Sequence, residues 1–116
     1  MKREQPNALA RALRDFFGNY LPGLRGVSPY TIQSYRDTLV LLLRFLASAK
    51  RIDSASLELD DVAPEHVIAF LAHLEKERHN TASTRNVRLA AIHAFFRHVA
   101  AYNPSALEQT QRILIR

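Results

Sequence analysis

Apolar residues along this chain recur at intervals of three and four, and no stretch alternates convincingly at period two. Leu9, Leu13, Phe16, Phe17 and Tyr20 share one helical face and predict a first helix from about Asn7 to Asn19. Gly18, Pro22, Gly23 and Gly26 then break the pattern. Ser28 as N-cap and Pro29 in the first helical position open a second helix, with Ile32, Tyr35, Leu39, Leu42 and Leu46 as its stripe. It ends near Lys50, where Lys50 and Arg51 suit the negative end of the helix dipole. In the loop that follows, Leu57, Leu59 and Val62 are expected to fold onto the core. Pro64 and Glu65 start a third helix, with Val67, Phe70, Leu71 and Leu74 inward and residues 75–78 toward water. His79 and Asn80 make a turn. A fourth helix, capped by Thr81 or Ser83, carries Leu89, Ile92, Phe96 and Val99 inward and ends at Asn103-Pro104. Ser105 caps a short last helix whose contacts are Leu107 and Ile113 or Leu114. The expected fold is all-α, a four- to five-helix orthogonal bundle.

At 116 residues, one domain with one core is the default. The sequence has no cysteine, so disulfides and thiolate metal sites are excluded. No apolar run approaches a membrane span, and the N-terminus lacks a signal-peptide core. Glycine-rich phosphate loops and H-E-x-x-H are missing, and the histidine spacings do not set ligand pairs on one helix face. Asp60 and Asp61 read as solvated or capping acids before the third helix.

Charge changes the picture. The formal net charge is +5, with 16 Lys and Arg against 11 acids. Acids are absent from residues 16–36 and 78–107, while residues 53–77 hold Asp53, Glu58, Asp60, Asp61, Glu65, Glu75 and Glu77. A segregated basic face is an electrostatic footprint of nucleic-acid binding. Two long helices start inside the acid-free windows, although a helix start normally attracts carboxylates. One start carries Ser28, Tyr30, Thr31, Gln33 and Ser34, the other Thr81, Ser83, Thr84, Arg85, Asn86 and Arg88. Arginine opposes the dipole there unless a phosphate sits between them, and free N–H groups at a helix start bind phosphate. Against this stands a plainer reading in which the hydroxyls only cap and Arg85 flanks the core with its stem.

The order of motifs resembles a family. It runs FF at 16–17, SPYTIQSYRDTL at 28–39 with FL at 45–46, LDDV at 59–62, HVIAFLAHLE at 66–75, STRNVRLAAIHAFFRH at 83–98 and NP at 103–104. This is similar to the N-terminal, SAM-like core-binding domain of tyrosine recombinases, the phage integrase family, over roughly residues 8–107. The resemblance implies a single core-binding domain across residues 1–116, forming half of a C-shaped clamp on double-stranded DNA. The other half would be a catalytic domain of the parent chain, absent here; the chain ends where a linker to it would begin, so a fragment is expected. The helix ends facing DNA would present Thr31, Gln33 and Ser34, then Ser83, Thr84, Arg85, Val87 and Arg88, with Arg36 on the same face. Residues 105–114 would touch other recombinase protomers.

Catalysis in that family uses a tyrosine that forms a 3′-phosphotyrosyl link, with a His-x-x-Arg motif in the second domain. No histidine here has arginine three residues later, and Tyr20, Tyr30, Tyr35 and Tyr102 lack such a setting. The chain is therefore expected to be non-catalytic and without a cofactor or metal. Its expected place is cytoplasmic, bound to DNA in a bacterium or encoded by a phage, and not in a membrane. A SAM-like helical protein-interaction module is the rival; it would expose an apolar patch. A helix-turn-helix repressor fits less well, because the fourth helix has too long an apolar seam for a short recognition helix.

Overall fold

Asn7 starts the first helix: its side chain accepts the N–H of Ala10, and its amide nitrogen donates to Leu57 O at 2.6 Å. The computed structural model describes residues 7–78, 81–103 and 106–114. Helix α1 covers Ala8–Asp15 and passes directly into a π-helical turn, Phe16–Tyr20, and a last short turn, Leu21–Gly23. The helical run thus continues past Asn19, the end expected from its glycines and proline. The wide turn explains this. The N–H of Leu21 bonds Phe16 O, five residues back, so the ladder is already re-registered where Pro22 lacks a donor. Burial of Phe16 and Leu21 offsets the roughly 1 kcal/mol that Gly18 costs in a helix. The chain breaks afterwards, with Gly26 at φ +85°.

Helix α2, Pro29–Lys50, begins at the Ser28 cap and ends in a left-handed Arg51, φ 57°. The N–H of Ile52 returns to Ala47 O at 3.1 Å, a Schellman closure usually built on glycine. Two short 3₁₀ turns, Ser54–Ser56 and Leu59–Asp61, organise the following loop and bury Leu57, Leu59 and Val62. Glu58 and Asp61 form a reciprocal capping box, and Lys50 lies 3.5 Å from Asp61. Helix α3, Pro64–Arg78, buries Val67, Phe70, Leu71 and Leu74 as its period requires.

Helix α4, Ala82–Tyr102, packs against α1, α2 and α3, and also against the last helix, α5, Leu107–Leu114. A helix with neighbours on several sides buries more than one stripe. Accordingly Ala91, Phe95 and His98 are buried with Ile92, Phe96 and Val99, while Leu89 is half-buried. Helix α5 buries Ala106, just before it, together with Thr110 and Ile113, and Thr110 Oγ1 donates to Phe96 O. Leu107, expected as a core contact, is 50% exposed, because the inward positions are 106, 110 and 113. Gln109 Nε2 donates to Leu59 O and Val62 O, tying α5 to the loop. The His79–Asn80 turn, Pro104 and the Ser105 cap lie outside the described residues. The result is all-α: five helices and no strand among the described residues. Among those residues no helix is long and apolar enough to cross a membrane.

Candidate nucleic-acid interface

The two long helices start with the same local device. Ser28 Oγ accepts the Thr31 N–H at 3.1 Å and lies 3.1 Å from Thr31 Oγ1. Thr81 Oγ1 accepts the Thr84 N–H at 3.1 Å and donates to Thr84 Oγ1 at 3.2 Å. Each cap satisfies one orphan donor without a carboxylate, so neither first turn carries negative charge. Helices α3 and α5 instead have Glu65 and Glu108 in their first turns. The caps also occupy Thr31 and Thr84: their backbone N–H groups are used within the turn.

Packing of α2 on α4 brings these starts together across a cleft of about 280 Å³. Tyr30, Gln33, Ser34, Asp37 and Thr38 line one side and Thr84, Val87 and Arg88 the other. Of the residues selected from the sequence, Gln33, Ser34, Thr84, Val87 and Arg88 therefore share one site. Gln33 also lines a neighbouring cleft with Pro22, Val27, Pro29, Ile32 and Arg36. Arg36 lies there with its guanidinium carbon 5.6 Å from the Phe17 ring centroid, a cation–π contact. Ser83 is exposed in the first turn of α4 and lines neither cleft.

Arg85 has another engagement. Its Nε lies 2.7 Å from Glu75 Oε1 of α3, and both side chains are about half in solvent, 41% and 46% exposed. The last turn of α3 thus supplies the carboxylate that α4 lacks in its own first turn.

Three cleft residues stood outside the sequence-based set of site residues: Tyr30, Asp37 and Thr38, the last buried and donating to Ser34 O at 3.1 Å. Tyr30 is 78% exposed. Asp37 brings a carboxylate to the cleft, where its Oδ1 accepts from Gln33 Nε2 at 2.9 Å. The signal that could have found them is helical spacing: 30, 33, 34, 37 and 38 lie on one face. The acid-free window ended one residue before Asp37, which hid it.

A larger groove, about 580 Å³, lies near the opposite end of α4, roughly 20 Å from the helix starts at 1.5 Å rise per residue. It is bordered by Arg11 and Asp15 of α1 and by His98 and Tyr102 of α4. Buried His98 pairs through Nε2 with Asp15 Oδ2 at 3.0 Å and packs against Phe16, Tyr20 and Tyr102. Burial, and next the charge of Arg97, holds His93 below the ordinary imidazole value; a hydrogen bond to the Ile113 backbone opposes them. No group of three His, Asp or Glu among the described residues is placed to hold a metal ion.

An all-α domain with two uncharged-capped, acid-free helix starts facing one cleft is the class that fold and site define. Residues 13–102 match the model of the phage integrase N-terminal SAM-like domain, and the chain belongs to that family. It is 43% identical over 106 residues to a putative integrase/recombinase of Sinorhizobium fredii, covering 91% of this chain and 38% of that protein. A second putative integrase/recombinase of the same organism is 39% identical over 107 residues, covering 92% of this chain and 32% of that protein. The tyrosine recombinase XerC of Caldanaerobacter subterraneus is 25% identical over 119 residues, covering 86% of this chain and 34% of that protein. The chain spans about a third of the length of the curated relatives it matches. No solved structure matches it significantly.

Proposed function

We propose that this domain binds double-stranded DNA as the core-binding part of a site-specific tyrosine recombinase. The observation that carries the reading is the cleft where the acid-free starts of α2 and α4 meet, with Arg88 on one wall and Gln33 on the other. Arg36 lines the neighbouring cleft that Gln33 shares, and Arg85 follows the cleft residue Thr84 along α4. Phosphate contacts set register, and groups reaching base edges add selectivity. In this reading Thr31, Gln33, Ser34 and Arg36 act from α2, and Ser83, Thr84, Arg85, Val87 and Arg88 from α4. The domain forms half of a clamp, and cleavage belongs to a catalytic domain of the parent protein. It acts in the cytoplasm, and protomers meet through residues 105–114, among which Leu107 is exposed.

Alone, the domain binds weakly and with little sequence preference, Kd ~10⁻⁴ to 10⁻⁶ M at physiological salt. Fluorescence anisotropy of a labelled duplex tests this at two salt concentrations. Binding that weakens with salt and is largely lost in Arg85→Ala/Arg88→Ala supports the reading. A folded protein that binds no duplex at low salt refutes it. A second reading, protein interaction, draws on the 580 Å³ groove beside the 73%-exposed Tyr102; concentration-dependent self-association in sedimentation, without DNA binding, would favour it.

A further inference from the structure

The cleft between α2 and α4 is not uniformly basic, and its chemistry narrows what it can meet. Asp37 brings a carboxylate into it. A carboxylate repels phosphate and the paired acceptors that guanine shows in the major groove. The same carboxylate takes one N–H of Gln33 at 2.9 Å and so limits how that amide can turn. A glutamine amide is the side chain suited to the adenine edge, a donor beside an acceptor. Two apolar groups complete the cleft. Val87 is 46% exposed although it sits in the second turn of a long helix, and Tyr30 is 78% exposed. Neither exposure contributes to the core.

We infer that this cleft reads A·T base pairs in the major groove, with Val87 packing on the thymine 5-methyl group and Gln33, held by Asp37, facing the adenine edge. The inference rests on the DNA-binding reading above and names the base class that the site selects. Thymine presents a methyl group in the major groove that guanine, cytosine and adenine lack. Covering one methyl with an apolar side chain is worth roughly a threefold to fivefold gain in affinity.

Because the target sequence is not needed, the test uses two alternating duplexes, one of adenine and thymine and one of adenine and uracil. Uracil differs from thymine only by the missing 5-methyl. Anisotropy titrations of the 116-residue chain at low salt are run with wild type, Val87→Ala and Val87→Thr. Wild type should bind the thymine duplex about three to five times more tightly. Val87→Ala, which loses both γ-methyl groups, should lose most of the preference, while Val87→Thr, which keeps one γ-methyl, should retain more of it. Circular dichroism confirms that each variant is folded. Equal wild-type affinity for the two duplexes overturns the inference and leaves DNA binding standing. A preference that persists unchanged in Val87→Ala also overturns it, since the duplexes themselves would then differ. Absence of binding to either duplex overturns the DNA reading and the inference with it.

Discussion

Glu75→Gln should make the domain a better DNA binder at a small cost in stability. The wild-type carboxylate lies 2.7 Å from Arg85 Nε, with both side chains about half in water. Point charges at that distance attract by roughly 1.5 kcal/mol at the dielectric of water. Ordering two long side chains and screening by salt reduce the net value of such exposed pairs to about 0.2–1 kcal/mol. Stability should therefore fall by no more than about 1 kcal/mol, seen as a small drop in the urea midpoint with unchanged m. The gain appears in binding. A phosphate that engages Arg85 in the wild type must displace Glu75, and the variant removes that competitor. Relief of up to about 1 kcal/mol is up to about a fivefold tighter Kd at low salt. To the extent that the wild-type pair stays closed on DNA, freeing Arg85 adds up to one phosphate contact and steepens the slope of log K against log salt by up to about 0.9. Anisotropy titrations between about 50 and 200 mM salt measure both quantities. An unchanged Kd and slope, with Arg85→Ala equally silent, would refute the reasoning: the pair would then be structural and Arg85 off the DNA face.

The remaining predictions concern the fold. Lowering the pH from about 7.5 through 6.5 should destabilise the domain. The depressed His93 value means that the unfolded chain takes up the proton first, and His93→Gln should flatten that part of the pH–stability curve from urea melts. Phe16→Ala should cost about 3–5 kcal/mol in denaturant unfolding, because the ring is fully buried, packs edge-on against Phe95 and anchors the π turn; a loss below about 1 kcal/mol would mean the site collapses around the change. Arg51→Gly should be neutral to stabilising by up to about 1 kcal/mol, since it relieves a left-handed residue at φ 57° while loosening the unfolded chain. A clear loss of thermal stability in that variant would show that the Arg51 side chain matters more than its backbone.

Local interactions determined much of this protein from the sequence alone. The Ser28 and Thr81 caps, the prolines that open α2 and α3 and the stripe from Leu39 to Leu46 all act within a turn or two. Such signals are complete within a few neighbouring residues, so they read directly. The family motifs are legible for the same reason, as runs of adjacent residues. What the tertiary structure decided lies between segments far apart in the chain. Gln33 and Asp37 meet Thr84, Val87 and Arg88 only because α2 packs on α4. Arg85 meets Glu75 only across the junction of α3 and α4, an ion pair between helices that neither helix's own sequence carries. Phe95 and His98 are buried because α4 is surrounded by other helices, a fact that a single-face periodicity does not carry. The π turn belongs to this group too: glycine and proline propensities favour a stop near Asn19, and burial of Phe16 and Leu21 outweighs them.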